Sequence, residues 1–557
     1  MLEHDVLVIG AGLAGQRAAI EARGKKLNTA VISKVYPVRS HSNAAQGGIN
    51  AAIREDDSWE THAFDTVKGS DYLGDQDAIE VLCREARHDI IELEHMGVIF
   101  DRDEEGLLGT RPFGGATYAR TCFVADITGQ AILHVMNEQL MKARVPVYDE
   151  FFATSLITDD NGCCGVVAME LATGKVYPIS AKAVILATGG LGRTYEPSTN
   201  ALIVTGDGMS LAYRAGAPLM DMEMVQFHPT TLPSNGALIT EAARGEGAYL
   251  LNANGERFLK NYDPVKMELG TRDVISRAEQ TEINEGRGVD GSVLLDCTHL
   301  GKERILKNLS QIYELALSFA NVDITKEPVP VRPGMHYQMG GVSTDINGLT
   351  HVPGLYAAGE CACVSVHGAN RLGANSLLET VVYGRRAGAA AAAYAQATAP
   401  RKLPEQAART DEQRVAAIMR REGPGENAAL LRLELGRTMH DRVGIFRTKA
   451  GLEQAISAIR NLRERYEHVT VAAKGHVFNY ALQSVWELGF MLDCAEAIAV
   501  SALRREESRG AHYRLDFPHR DDANWLKHTL AFCSSEGPRI DYRPVRITRW
   551  EPERTIS

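Results

Sequence analysis

The sequence predicts an α/β fold, and three observations carry that prediction. An apolar run at residues 5–9 leads into a glycine-rich turn and a segment of helical composition. Two more apolar runs that end in glycine follow far downstream, at residues 183–190 and 354–360. Charged segments with helical periodicity dominate beyond residue 400. Together they indicate a Rossmann-like domain with an insertion, followed by a helical domain.

The glycine-rich turn, GAGLAG at residues 10–15, lies between the first strand and the helix. Such glycines permit a tight turn and let a pyrophosphate approach backbone N–H groups at the helix N-terminus. A second strand at residues 29–32 follows at the spacing of a βαβ unit. Ser33 and Lys34 stand where an acidic residue usually binds ribose, so we expect a dinucleotide site unlike a typical NAD site.

His41 follows this unit directly, in the run RSHSNAAQGG at residues 39–48. An imidazole at this place could reach the isoalloxazine ring of a bound flavin. The position therefore suggests a flavin held by a covalent bond.

Length and charge narrow the class of protein. A chain of 557 residues exceeds what one core usually holds, and its net charge of −11 argues against a nucleic-acid partner. No apolar run is long enough to span a bilayer. Because the first strand begins within five residues of Met1, we expect no signal or transit peptide and a prokaryotic cytoplasmic compartment. The nine cysteines show no CxxC or ferredoxin spacing, so we expect no iron–sulfur cluster on this chain.

The predicted fold has a Rossmann-like, flavin-binding domain in two parts, an inserted α+β capping domain, a helical domain and an irregular C-terminal domain with short strands. The predicted boundaries are 1–222 and 340–400 for the two parts, 223–339 for the cap, 401–508 for the helical domain and 509–557 for the C-terminal domain. An inserted lid is a natural place for a substrate cleft. Within the helical domain, periodicity predicts helices at about 411–433 and 451–467.

Four cationic side chains stand near glycine-rich turns, namely His228, Arg272, His336 and Arg371. A dicarboxylate needs such a set, because each carboxylate that leaves water requires charge-assisted donors, and arginine offers a planar bidentate match. Each residue taken alone is more often structural.

Two further patterns have both a functional and an ordinary interpretation. Glu241 and Arg244 share one helical face at i,i+3 spacing, either as a surface ion pair or as a proton relay that serves Arg272. Arginine holds its proton tightly in water, so the relay needs a buried, cation-rich setting. Ser376 and Glu379 form a predicted capping box at the start of a helix. The N-terminus of that helix would either stabilise negative charge on a reduced flavin or have no role beyond the capping of the helix.

With these motifs in place, the chain resembles the flavoprotein subunit of the succinate dehydrogenase and fumarate reductase family over nearly its whole length. The motifs that carry the resemblance lie at residues 10–15, 33–42, 46–48, 111–115, 226–229, 240–241, 272–273, 367–378 and 508–518.

The resemblance implies covalent FAD, bound through its 8α-methyl carbon to His41. It implies FAD contacts from Gly10, Ala11, Gly12, Leu13, Ala14, Gly15, Ser33, Lys34, Ser40, His41, Ser42, Gln46, Gly47, Gly48, Ala187, Thr188, Gly189, Asp207, Glu360, Arg371, Ser376 and Leu377. The implied dicarboxylate-binding residues are Phe113, His228, Thr240, Glu241, His336 and Arg371. The implied reaction is hydride transfer between a succinate methylene carbon and flavin N5, with Arg272 moving the proton and Glu241 and Arg244 connecting it to solvent.

The same resemblance implies partners, because electrons that leave FAD need a route. It implies an iron–sulfur subunit, a membrane anchor and a quinone, as in respiratory complex II, with this chain peripheral to the cytoplasmic face of a prokaryotic plasma membrane.

Some features depart from the family or leave alternatives open. The segment after Phe113 is short, and Gln130 stands where many relatives have histidine. L-Aspartate oxidase shares the architecture but lacks a histidine at the place of His41, and a non-catalytic flavoprotein would not need to keep Arg272 with its neighbours. Many dehydrogenases of the family resemble this chain in having glutamine at the place of Gln46, but some reductases share it, so Gln46 favours succinate oxidation only slightly. A fumarate reductase that works in the reverse direction stays open as the alternative.

Overall fold

The computed structural model describes residues 2–404 and 406–553. Met1, Glu405 and residues 554–557, which the predicted domain ranges include, lie outside the described residues. The strands are β1 (Leu2–Ile9), β2 (Thr29–Ser33), β3 (Ile49–Asn50), β4 (Thr110–Arg111), β5 (Thr121–Cys122), β6 (Val147–Asp149), β7 (Phe151–Asp159), β8 (Gly162–Glu170), β9 (Lys175–Leu186), β10 (Leu219–Met220), β11 (Val225–Thr231), β12 (Tyr249–Leu251), β13 (Val293–Asp296), β14 (Val329–Gln338), β15 (Gly341–Ser343), β16 (Leu355–Ala357), β17 (Ala362–Cys363), β18 (Phe446–Arg447), β19 (Tyr513–Arg514), β20 (Lys527–Phe532) and β21 (Arg539–Pro544). The α-helices are α1 (Leu13–Gly24), α2 (Trp59–Gly69), α3 (Gln76–Met96), α4 (Thr128–Lys142), α5 (Asp207–Arg214), α6 (Ala242–Gly245), α7 (Arg272–Asn284), α8 (Lys302–Asn308), α9 (Ser310–Ala320), α10 (Asn375–Ala397), α11 (Arg409–Arg420), α12 (Ala428–Arg442), α13 (Lys449–Tyr466), α14 (Tyr480–Arg504) and α15 (Asp522–Trp525).

The largest sheet has seven strands, ordered β6-β2-β1-β9-β8-β7, with β16 beside the far end of β9. Strands β6, β2, β1, β9 and β16 run parallel to one another. Strand β8 pairs antiparallel with β9, and β7 pairs antiparallel with β8. The register pairs Ile9 with both Ile32 and Leu186, and Leu186 with Ala357. Four parallel strands therefore end at one level, and the loops that follow them meet at one edge of the sheet.

A separate four-stranded antiparallel sheet, ordered β11-β14-β13-β12, forms the core of the predicted cap. Helix α7 packs against it, and Ile275 and Ala278 of that helix share an apolar cluster with the strands. In the β11–β14 pair, Gln226 lies opposite Tyr337 and His228 opposite Gly334. This sheet thus brings the motif around His228 beside the motif around His336.

The helical domain differs from the prediction in two ways. The pattern predicted as one helix at about 411–433 forms α11 and α12, because Gly423 and Pro424 interrupt the chain between them and proline cannot donate a helical hydrogen bond. The longest helix, α14, was not predicted. Every position from 485 to 502 is buried, so the helix has no polar stripe that periodicity would detect.

The C-terminal region contains three short strands, β19, β20 and β21, as predicted. Strands β20 and β21, of six residues each, form an antiparallel hairpin. Strand β20 also pairs with β10. The resulting sheet, β17-β15-β10-β20-β21, combines this hairpin with strands from both sides of the cap insertion. Among the described residues, no helix combines the length and apolar character that crossing a bilayer requires.

Candidate functional site

One cavity of about 500 Å³ lies at the edge of the large sheet where the parallel strands end. Its lining includes Ile9, Ser33 and Ala187 from the ends of β1, β2 and β9, and the cap contributes His228 and His336. Large, mostly apolar clefts with a few convergent polar groups are the usual ligand sites, and this edge is where α/β sheets bind ligands.

The glycine turn forms one wall of the cavity. Gly10 has φ +107°, and a Cβ there would lie 2.2 Å from the carbonyl oxygen of Ala187, so only glycine fits. A Cβ on Gly15 would lie 1.9 Å from the carbonyl oxygen of Gly10, which makes Gly15 a packing residue. Helix α1 begins at Leu13 after Gly12, which has no side chain to cap it, and within the described residues only the backbone N–H of Leu13 donates to a nearby side chain, Ser42 Oγ at 3.3 Å. Its N-terminus therefore suits the pyrophosphate of a dinucleotide such as FAD.

Almost all residues predicted to contact the cofactor line this cavity, and Gly15 is the exception. The lining includes Gly10, Ala11, Gly12, Leu13, Ala14, Ser33, Lys34, Ser40, His41, Ser42, Gln46, Gly47, Gly48, Ala187, Thr188, Gly189, Asp207, Glu360, Arg371, Ser376 and Leu377.

Lys34 lies between two carboxylates, at 2.8 Å from Asp207 and 2.7 Å from Glu487 of α14. Burial lowers the pKa of Lys34, but the two carboxylates outweigh burial and the net pKa is raised. A fixed cation thus replaces the acidic residue that usually ends the second strand. Glu487 was not among the predicted site residues, because it comes from the helix that periodicity missed.

His41 begins a single 3₁₀ turn, His41–Ala44, and lines the cavity. Burial, together with the charge of Arg193, lowers the pKa of His41 to about 4, so its imidazole is neutral at pH 7. The backbone N–H of Ala201 donates to Nδ1 at 3.4 Å. Nδ1 is therefore the acceptor nitrogen of the neutral ring, and Nε2 carries the proton.

The predicted capping box at Ser376 and Glu379 is wrong. Helix α10 begins at Asn375 after Ala374, which has φ +64°, and no side chain caps it. The carboxylate of Glu379 instead accepts a hydrogen bond from Tyr337 at 2.6 Å and pairs with His367 at 2.9 Å. These buried partners take the carboxylate away from the helix terminus, although Ser376 and Leu377 still line the cavity.

The dicarboxylate-binding residues predicted from the sequence gather at the cap side of the cavity. Those that line it are Phe113, His228, Thr240, His336 and Arg371, together with Arg272. The rings of His228 and His336 meet edge to face, with centroids 5.0 Å apart. Burial, followed by the charge of Arg272, lowers the pKa of both histidines well below the ordinary value. Both imidazoles are therefore neutral.

The amide of Gln226 holds the two arginines together. Its Oε1 accepts hydrogen bonds from Arg272 Nη1 at 3.2 Å and from Arg371 Nη2 at 3.1 Å. Its Nε2 donates to Asn370 Oδ1 at 2.8 Å. The guanidinium of Arg371 also stacks over Tyr337 at 4.4 Å, and burial followed by the charge of Arg272 lowers the pKa of Arg371 to about 9. Gln226 lies in the motif around His228, and Tyr337 lies in the motif around His336. Because both side chains are uncharged, the sequence did not predict that they would position the two arginines.

Glu241 and Arg244 lie behind Arg272 and do not line the cavity. Arg272 Nε donates to Glu241 Oε2 at 3.1 Å, and Arg244 approaches the same oxygen at 3.7 Å. Arg244 Nη1 donates to the backbone oxygen of Glu268 at 2.6 Å. Burial alone would raise the pKa of Glu241, but the charges of Arg272 and Arg244 lower it on balance. The pair is buried, so the interpretation as a surface ion pair is wrong.

A contact between the cap and the nucleotide-binding domain was also missed. Gln46 Nε2 donates to Gln311 Oε1 of α9 at 2.7 Å, and both residues line the cavity. Helix α9 carries no motif that would have singled out Gln311. Gln130, noted for its departure from the family, lines the same cavity.

Comparisons with known proteins match the whole chain. Two domain families match, described as FAD binding domain over residues 5–377 and as Fumarate reductase flavoprotein C-term over residues 432–556. The chain is 49% identical to the fumarate reductase flavoprotein subunit of Mycobacterium tuberculosis, covering 99% of this chain and 98% of the relative. It is 47% identical to the succinate dehydrogenase flavoprotein subunit of Rickettsia bellii, covering 99% of this chain and 96% of the relative.

Solved structures agree with these relatives. A quinol fumarate reductase structure from E. coli superposes with a TM-score of 0.96 at 42% identity, over 100% of this chain and 99% of that chain. Mycobacterium smegmatis Sdh1 superposes with a TM-score of 0.88 at 38% identity, over 99% of this chain and 95% of that chain.

Proposed function

Because the chain belongs to the family of flavoprotein subunits of succinate dehydrogenases and fumarate reductases, and is an FAD-dependent oxidoreductase of that family, we propose that it interconverts succinate and fumarate in the cavity described above. One observation carries the proposal. Two arginines and two histidines line the same cavity as the glycine turn.

Substrate binding follows from charge and hydrogen-bonding capacity. A dicarboxylate brings two negative charges, and Arg272 and Arg371 supply two positive ones in a fixed geometry set by Gln226. Nδ1 of His228 accepts from the backbone N–H of Thr230 at 3.2 Å, so its Nε2 carries the proton and can donate to a carboxylate. Phe113 and Thr240 complete the proposed dicarboxylate site.

Bound FAD supplies the redox chemistry, since its N5 accepts or donates a hydride at a substrate carbon. The glycine turn, Lys34 and the N-terminus of α10 would hold it. We assign His41 as the residue that carries FAD covalently. Two facts support this assignment: the imidazole lines the cavity, and its pKa of about 4 keeps it neutral. Because Nδ1 accepts from the backbone N–H of Ala201, the proton lies on Nε2, and Nε2 would have to lose it to form the linkage.

The proton that accompanies the hydride is assigned to Arg272. Its guanidinium lines the cavity and is bonded to Glu241, so it can exchange a proton with the substrate carbon that does not receive the hydride. Glu241 and Arg244 connect Arg272 to the protein behind the cavity. The buried, cation-rich setting that the sequence alone could not demonstrate is present at these three residues.

The electrons are proposed to pass to a separate iron–sulfur subunit, and from there through a membrane anchor to quinone. This proposal rests on family membership, as does the placement of the chain on the cytoplasmic face of a prokaryotic plasma membrane. Relatives named as fumarate reductase and as succinate dehydrogenase match this chain about equally well, at 49% and 47% identity. Fumarate reduction therefore stands as the alternative physiological direction.

Covalent attachment is tested on protein purified from its native membranes. Acid precipitation should leave yellow flavin in the pellet, and mass analysis should find the flavin on the peptide that bears His41. Release of all FAD into the supernatant would refute the assignment of His41.

The reaction is tested by paired assays on the same preparation, namely dye reduction driven by succinate and oxidation of a reduced viologen driven by fumarate. We expect both to proceed. A preparation inactive in both, whose flavin is bleached by L-aspartate, would instead establish the aspartate oxidase alternative.

A further inference from the structure

A second acidic residue stands on α7 behind the relay. Glu279 follows Arg272 by seven residues, or about two helical turns, so both side chains leave the same face of α7. Arg272 reaches the cavity, whereas Glu279 is 0% exposed. The helix therefore carries a fully buried carboxyl group along the line that leads away from the substrate.

Glu279 and Arg244 have complementary unmet hydrogen-bonding capacity. Among the described residues, neither carboxyl oxygen of Glu279 has a hydrogen-bond partner, and neither does Nε nor Nη2 of Arg244. Buried polar groups are nearly always hydrogen-bonded, and an ionised carboxylate without partners is especially costly. Such a carboxyl group is most stable when neutral.

The electrostatics agree with this geometry. Burial raises the pKa of Glu279 well above the ordinary value, and the charge of Arg244 opposes that rise. Burial lowers the pKa of Arg244, and the charge of Glu279 opposes this fall, with a smaller effect than the charges of Glu241 and Arg272. Arg244 is thus the link between the relay and Glu279.

We infer that Glu279 is a proton store for the relay, a neutral carboxylic acid that restores the proton of Arg244 after each transfer at Arg272. In fumarate reduction, Arg272 gives a proton to the substrate carbon and regains one from Arg244 through Glu241. Glu279 then gives its proton to Arg244, becomes a carboxylate beside the restored guanidinium, and recovers a proton from bulk water between turnovers. Among the described residues Glu279 accepts no hydrogen bond from Arg244, so the proposed transfer requires a water molecule that bridges the two groups. Glu279 acts through Arg244, so it is a positioning residue, and the inference rests on the proposed function.

The test compares Glu279→Gln with Glu285→Gln in the holoprotein. Glutamine keeps the shape of the neutral acid but cannot release its proton. Glu285 caps the same helix and is exposed, so it is a matched control for the same chemical change. We expect E279Q to keep its FAD content and KM, to lose roughly tenfold in kcat for fumarate, below the ~100-fold or more of a direct acid, and to show a larger solvent deuterium isotope effect. Glu279→Asp should recover part of the rate.

Two outcomes would overturn the inference. One is E279Q equal to E285Q in kcat and in isotope effect. The other is loss of FAD from both E279Q and Glu279→Met. Methionine is similar in size to glutamate and suits an apolar setting, so loss of FAD from both variants would show that Glu279 is needed for folding. Failure of the proposed function looks different, because the wild-type protein would then turn over neither succinate nor fumarate.

Discussion

Replacing Gln226 with methionine removes the side chain that aligns both site arginines. Methionine keeps the length of glutamine, so the change removes hydrogen bonds without leaving a large cavity. The two bonds that Gln226 Oε1 accepts, at 3.2 and 3.1 Å, come from the charged groups of Arg272 and Arg371. A bond to a charged group contributes about 1.5–3 kcal/mol, and these long bonds fall at the low end, which gives ~3 kcal/mol for the pair. At ~1.4 kcal/mol per tenfold in rate, we expect kcat/KM for fumarate to fall about 100-fold.

The assay is steady-state oxidation of reduced viologen by fumarate, at matched flavin content. The matched control is Gln338→Met. Gln338 is also a buried glutamine, and its Nε2 donates to the backbone oxygen of Met222 at 3.2 Å. The reasoning fails if Q226M is no slower than Q338M, because the arginines would then hold their positions without Gln226.

Three further predictions concern other parts of the molecule. Burial lowers the pKa of His528, but two buried aspartates outweigh it and raise the pKa to about 9 from its ordinary 6.5. Its stabilisation should be complete below pH 6.5 and disappear as pH rises to about 9, so the difference in Tm between wild type and His528→Asn should shrink over that range; a constant difference would contradict this. Gln311→Ala should raise KM for fumarate by about fivefold with little change in kcat, because it removes the ~1 kcal/mol bond from Gln46 to the cap; an unchanged KM would show that the cap closes without it. Gly373→Ala would put a Cβ 2.4 Å from the Phe113 ring, so overpacking should cost about 1–3 kcal/mol of stability and displace the ring. Chemical denaturation measures the loss of stability, and KM for fumarate measures the displacement of the Phe113 ring. An unchanged KM would show that the ring moves away from the substrate.

The sequence was sufficient for the fold class and the family because both depend on local patterns. The turn from Gly10 to Gly15 could be predicted from the sequence, because close approach of backbone to backbone allows only glycine at these positions. The α/β class and the succinate dehydrogenase and fumarate reductase family are both confirmed. The domain boundaries stay predictions.

What could not be predicted depends on contacts between distant segments. Gln226 has no charge and no local pattern, and its role appears only once β11 places it against both arginines. Glu379 looked like half of a capping box, but buried partners from other segments bind its carboxylate. Helix α14 was missed because it is buried on all sides, which removes the amphipathic period that identifies surface helices.

The ion pairs of Lys34 have a consequence for biogenesis. Lys34 follows the second strand of the chain, and its partner Glu487 lies 453 residues later, in the last long helix. Every residue that lines the cavity lies between residues 9 and 380, so all of them are synthesised before the helical domain. Until α14 is synthesised and docks, Lys34 has Asp207 but lacks its second carboxylate partner, Glu487. Docking of α14 therefore completes the charge balance around Lys34 only after the residues that line the cavity have been synthesised.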